Sequence, residues 1–136
     1  MADESRNVAL VRDLIDAWNA GDRERWVPHL DPEVEIRTIR SQLESGPYRG
    51  TEGFRKALAD FDEDWEHVSF EVEGVRGSES DDLIVATTKM TSRGRASGVE
   101  LEVPLALLWE LRDGLIVRVQ SFSDPAEALR AAGIDA

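Results

Sequence analysis

The sequence predicts an α+β fold, with helices filling most of the first half and a mostly antiparallel sheet the second. Apolar residues recur at helical spacing as far as Phe61 and switch to a period of two from about residue 67. A strong hairpin signal, Asp113-Gly114, then separates two long β-rich runs. The size fits one packed core: 136 residues with 41% hydrophobic content suit a single domain over 1–136.

Each element has its own signal. Val8, Val11, Leu14, Ile15 and Trp18 form one apolar helical stripe, and Asn19-Ala20-Gly21-Asp22 stops it. Asp22 is placed to cap a second, short helix, whose Trp26 and Leu30 share a face and which Pro28 bends or shortens. Val34 to Thr38 alternates as a strand. Residues 41 to 50 hold Ser, Gly and Pro and read as a loop, with room for a short strand near Tyr48. Thr51 is a candidate cap for a third helix carrying Phe54, Leu58 and Phe61. Val68, Phe70 and Val72 open a four-strand meander continued by Leu83–Thr91, Val99–Arg112 and Leu115–Phe122. Asp124 caps a last helix, Pro125 takes its first position and Glu127 completes a capping box. Gly133 ends it, with Ile134 set to fold back on the last turn.

Composition excludes several functions. Twenty-eight acids against 16 bases give a net charge of −12, which disfavours nucleic acid and anionic membrane surfaces as partners. No cysteine is present, so disulfides, thiol catalysis and zinc-thiolate sites are ruled out. The longest apolar run, Leu105 to Trp109, is far too short to span a membrane. Met1-Ala2-Asp3-Glu4-Ser5 lacks the basic head and apolar core of a secretory signal, and a cytoplasmic location is expected. The charge is uneven: residues 62–82 carry nine acids and one base, whereas 37–56 carry five bases and two acids. A neutral or mildly anionic ligand is therefore compatible with the net charge.

Five strings carry a family resemblance. They are Asp16-Ala17-Trp18-Asn19-Ala20-Gly21-Asp22, Leu30-Asp31-Pro32-Glu33-Val34-Glu35 and Tyr48-Arg49-Gly50-Thr51-Glu52-Gly53-Phe54, then Trp109 to Val117 and Phe122 to Leu129. In this order they resemble the nuclear-transport-factor-2-like superfamily and, within it, the SnoaL-like group. The resemblance implies a cone-shaped α+β barrel, with a curved sheet, three helices of the N-terminal half closing its mouth and a short C-terminal helix. It implies a pocket inside the cone and, often, a dimer contact on the opposite sheet face. Relatives include isomerases, dehydratases, epoxide hydrolases, polyketide cyclases and non-catalytic carriers and adaptors, so the fold alone leaves the activity open.

The catalytic residues of these relatives do not transfer. Aligned through Asn19-Ala20-Gly21-Asp22, the tyrosine and two aspartates of ketosteroid isomerase fall on Leu14, on or next to Thr38, and near Leu107. The relay of limonene epoxide hydrolase would find Arg37 but no pair of aspartates on pocket-facing strand positions. The departures point to a pocket poor in titratable groups, and the catalytic residues stay unassigned.

Alternation places Leu105, Leu107, Trp109 and Leu111 inside the cone, together with Val117, Val119 and Ser121. The expected pocket lining is Trp18, Thr38, Tyr48, Phe54, Leu107, Trp109, Val119 and Ser121, with Arg37, Arg40 and Arg49 as anion contacts at the mouth. Val103–Leu108 is apolar on both faces, so the outer face needs a cover, and a homodimer partner is the expected one. His29 and His67 are isolated in sequence and read as solvated. Asp60 to Asp64 mimics a calcium loop, but Trp65 stands where that loop needs glycine, so the run reads as the solvated end of the third helix. No phosphate, dinucleotide or nucleophile-elbow motif occurs, and neither a metal nor a cofactor is expected. A pocket for an apolar or weakly polar organic ligand is the leading reading. The alternatives are an acid–base isomerase, cyclase or hydrolase acting on a polyketide-, terpenoid- or steroid-like substrate, and a non-catalytic dimerisation or adaptor module.

Overall fold

A computed structural model describes residues 5–43 and 46–134, without the side chains of Arg40 and Leu43. Helix α1 spans Arg6–Asn19, and Ser5 caps it by accepting the Val8 N–H at 3.1 Å. Val8, Val11, Leu14 and Ile15 of its apolar stripe are buried as the spacing requires, and Trp18 is partly buried. The second helical segment is a 3-10 helix, Arg23–His29, and Asp22 gives it no side-chain cap. Pro28 inside this tight turn accounts for its shortness, because proline has no N–H to continue an α-helix.

Strand β1 runs Leu30–Arg37, starting four residues before the expected strand. The short strand expected near Tyr48 is β2 (Tyr48–Arg49), whereas α2 (Ile39–Leu43) forms where the sequence reads as strand end and loop. Helix α3 covers Gly50–Asp64 and begins before Thr51; Arg49 takes the cap position without a side-chain bond. Gly50 has φ +71°, which lets the chain turn from β2 straight into α3 with Pro32 O close by.

The meander comprises β3 (Trp65–Gly77), β4 (Leu83–Gly94), β5 (Glu100–Arg112) and β6 (Leu115–Phe122). Asp113 and Gly114 both have positive φ, as a tight hairpin turn requires. The strand order is β2-β1-β6-β5-β4-β3 in one curved, unclosed sheet. All neighbours are antiparallel except β1 and β6. Helices α1 and α3 and the 3-10 helix lie on the concave side.

Strict alternation of inward and outward residues holds along β5 and breaks at one point on β6. Trp109 pairs with Val119, but Leu111 pairs with Ile116, so Val117 is an extra residue in a bulge. The bulge turns Ile116 inward, into the main core with Leu111 and Val119, whereas the simple period pointed it outward.

The main core joins α1, the 3-10 helix and the concave sheet face. At its centre Trp26 stacks on Phe54 and meets Trp109 at 4.9 Å between ring centroids, with Trp18 at 5.7 Å. Asn19 ties α1 to the sheet: its amide N–H donates to Phe70 O at 2.7 Å and its carbonyl accepts the Phe70 N–H at 2.9 Å.

Helix α4 (Pro125–Ala131) caps on Asp124, whose side chain accepts the Ala126 N–H at 3.0 Å. Gly133 has φ +71° and Ile134 N–H reaches back to Leu129 O at 2.8 Å, closing the helix as its sequence foretold. Ala128, Ala132 and Ile134 pack on Val85, Ala106 and Leu108 of the convex sheet face. The cover needed by that part of β5 is thus supplied within the chain.

Candidate functional site: a cavity at the open end of the sheet

Helix α3 determines the site. Gly53, Ala57, Asp60 and Asp64 follow one another at three- and four-residue steps, and Phe61 lies four after Ala57 and three before Asp64, so they form one stripe along the helix. Phe54 anchors the adjacent face in the core. Between this stripe and the sheet lies a cavity of about 350 Å³. Ala57, Asp60, Phe61 and Asp64 line it from α3, Trp65 from the start of β3, and Met90 and Leu105 from the sheet. Thr38, Ile39, Tyr48 and Ser121 complete the wall.

The lining is largely apolar, with one polar cluster. The Tyr48 hydroxyl donates to Asp60 Oδ2 at 2.6 Å, and Lys56 Nζ lies 3.4 Å from each Asp60 oxygen. The Asp60 side chain is 27% exposed, so the carboxylate is sheltered without being sealed from water. Thr38 is fixed by a reciprocal turn: its Oγ1 accepts the Ser41 N–H at 3.0 Å, and Ser41 Oγ accepts the Thr38 N–H at 2.9 Å.

A second hollow of about 260 Å³ lies beyond Phe61 and Trp65, which form walls of both. Trp18, Asn19 and His67 line it with Arg23 and Asp62. Arg23 donates to both Asp62 oxygens, at 2.9 and 2.8 Å, and stands over the Trp18 ring at 5.4 Å. The Arg23 hydrogen bond holds the Asp62 carboxyl below its ordinary range and raises the Arg23 value in return.

Of the residues proposed from sequence, Thr38, Tyr48 and Ser121 meet on the 350 Å³ cavity. Phe54, Leu107, Trp109 and Val119 are packed into the core instead, and Trp18 borders the second hollow. Period two showed correctly that these strand positions face inward. It could not show that the aromatic cluster around Trp26 fills that end of the cone. Arg37 and Arg49 do not stand at the cavity mouth. Glu35 and Arg37 alternate with the buried Val34 and Ile36, so they face the convex side, where Glu35 pairs with Arg37 at 2.8 Å and Arg49 at 3.7 Å. The Arg40 side chain lies outside the described residues.

Asp60, one of two carboxylates on the cavity with Asp64, lies in the run that the sequence reads as a solvated helix end. The signal available was its place one step from Ala57 and Phe61 on the same stripe. Its shelter depends on Tyr48, 12 residues away, which local pattern does not reveal. Among the described residues no group of three or more acidic or histidine side chains could hold a metal ion, and no helix is long and apolar enough to cross a membrane.

A curved sheet closed on one side by helices, with a cavity between, defines the class of nuclear-transport-factor-2-like folds. The model of the SnoaL-like domain matches residues 11–119, and the chain belongs to that family. No curated protein matches the chain. Solved structures do. An NTF2-like protein of unknown function from Burkholderia pseudomallei K96243 is 17% identical, with a TM-score of 0.79, over 95% of this chain and 98% of that one. A protein from Jannaschia sp. CCS1, described as a candidate SnoaL-like polyketide cyclase, is 23% identical over the full length of both chains, with a TM-score of 0.75. TerC, co-crystallised with polyporic acid, is 17% identical, with a TM-score of 0.77, over 94% of this chain and 98% of that one. At these identities the likeness concerns the fold.

Proposed function

We propose that this chain binds a small apolar or weakly polar organic molecule between α3 and the sheet. The observation that carries this is the cavity: about 350 Å³, walled by Ile39, Ala57, Phe61, Trp65, Met90 and Leu105, with few polar groups. That volume lies within the range of small-molecule sites, and so does the ratio of apolar wall to polar anchors. A structural neighbour crystallised with an organic acid supports the reading. Thermal-shift screening against polyketide-, terpenoid- and steroid-like compounds, followed by calorimetry of the hits, tests it. Stabilisation that Ala57→Leu abolishes is the expected result. Hits that bind the Ala57→Leu variant equally well would refute the site.

A second reading, acid–base catalysis on such a ligand, is favoured by Asp60. Proton transfer needs a titratable group within reach of the ligand, and the sequence alone offered only Thr38, Tyr48, Ser121 and Arg37. The cavity-facing carboxylate supplies that group. Turnover of a bound hit, lost in Asp60→Asn, would establish it.

The chain is also proposed to pair as a homodimer through the part of the convex face that α4 leaves open. Glu35, Arg37, Glu110 and Arg118 make a mixed-sign lattice there, which a two-fold axis can set against itself. Sedimentation should give twice 15.2 kDa; a monomer at micromolar concentration would exclude it.

A further inference from the structure

We propose that Val99, Leu101 and Val103 continue the cavity as an open apolar strip, so that the site takes molecules with a flexible apolar tail too long for the cavity itself. The inference deepens the pocket reading and rests on it.

Among the described residues only four large apolar side chains are exposed, Ile39, Val99, Leu101 and Val103, at 37% to 54%. All four belong to one place. Ile39 lines the cavity. The other three recur at every second residue. Strands β4 and β5 pair without a register shift from Leu83 and Glu110 to Arg93 and Glu100, so Leu101 and Val103 share a face with Leu105 on the cavity wall. Val103 lies opposite Met90, another wall residue. The strip thus starts at the cavity and runs toward the β4–β5 turn. It is open because β6 ends at Phe122, opposite Ala106, and leaves this end of β5 with no strand on that side.

The two faces of this end differ. On the convex side Glu100 pairs with Arg93 at 3.1 Å and Glu102 with Lys89 at 3.8 Å, so that face is satisfied in water. On the concave side β5 presents only apolar side chains, and exposed apolar surface that continues a pocket marks a binding surface. A strand added by a second copy is poorly served there. Pro104 has no N–H to offer it, and Glu100 and Glu102 would meet their own kind across the edge. An apolar tail has no hydrogen bonds to satisfy and gains from each methylene laid on the strip.

Calorimetry with methyl, butyl and octyl 4-hydroxybenzoate tests the proposal, since the three differ only in tail length. On an open strip each methylene loses water on one side, so a gain of about twofold per added carbon is expected, or at least about tenfold from butyl to octyl. Leu101→Thr combined with Val103→Thr keeps strand-forming side chains at two exposed positions while removing the apolar surface. The double variant should bind the methyl ester within about twofold of wild type, and its gain from butyl to octyl should fall to within about threefold. No gain from butyl to octyl in the wild type, or a gain that survives the double substitution, would overturn the strip and leave the pocket standing. A wild-type dimer that the double variant splits would give the strip to a second copy and overturn the proposal too. Failure of all three esters and of the compound screen to bind would overturn both readings.

Discussion

Trp26 and Trp109 offer a controlled comparison, because they are the same residue type in one cluster with opposite hydrogen bonding. Both are buried, at 6% and 0% exposure, and their rings are 4.9 Å apart. Trp26 Nε1 donates to Leu14 O at 2.8 Å. Trp109 Nε1 is buried with no acceptor among the described residues. Replacing either by phenylalanine removes the same volume, so the packing loss largely cancels in the difference. Trp26→Phe also loses a hydrogen bond, a net cost of about 1 kcal/mol. Trp109→Phe instead removes a desolvated donor, recovering about 1–3 kcal/mol. Trp26→Phe should therefore be the less stable of the two by about 2–4 kcal/mol. At roughly 3 °C per kcal/mol for a chain of this size, the melting temperatures should differ by about 6–12 °C. Urea unfolding followed by far-UV circular dichroism measures this without relying on the fluorescence of the substituted tryptophans. Equal destabilisation, or the reverse order, would refute the assignment of hydrogen bonds in the core.

Other predictions concern the site and its supports. Ala57→Leu adds three carbons toward the cavity, so ligand affinity should fall at least about tenfold while stability, read by the same urea melts, changes by less than about 1.5 kcal/mol. Gly53→Ala should destabilise by about 1 kcal/mol or more, although alanine is normally the better helix former, because its Cβ meets the Tyr48 backbone; a gain in melting temperature would contradict this. Asp62 is half exposed, so its pair with Arg23 contributes less than about 1 kcal/mol after screening by solvent. Since folding lowers the Asp62 value below its ordinary 3.8, that contribution is present above about pH 4 and is lost as pH falls through the folded value. The stability gap between wild type and Asp62→Asn should therefore be open in melts at about pH 6 and narrow progressively as the pH is lowered below 3.8.

Much of the architecture was legible because the signals are local. The stripe from Val8 to Trp18, the Asp113-Gly114 turn, and the Asp124, Pro125 and Gly133 signals of α4 each act on their immediate neighbours. Helix α2 was less so: it is held by a reciprocal Thr38–Ser41 turn, which leaves no periodic pattern in five residues. The extra residue at Val117 is likewise silent in sequence, because a bulge shows only against the partner strand.

The sequence by itself determined the α+β class, the order of the long elements and which residues of β5 turn to the concave side, since these follow from spacing and turn chemistry. Only the tertiary structure decided where that side is empty. Trp109, expected to line the pocket, fills the core beside Trp26, and Trp18 borders the second hollow, while the cavity opens beside Asp60, Phe61 and Trp65. Tyr48 and Asp60, and the cover of α4 on Ala106 and Leu108, are likewise pairings between separate elements. A cavity is a volume that several elements fail to fill jointly, and no one segment carries a pattern for it.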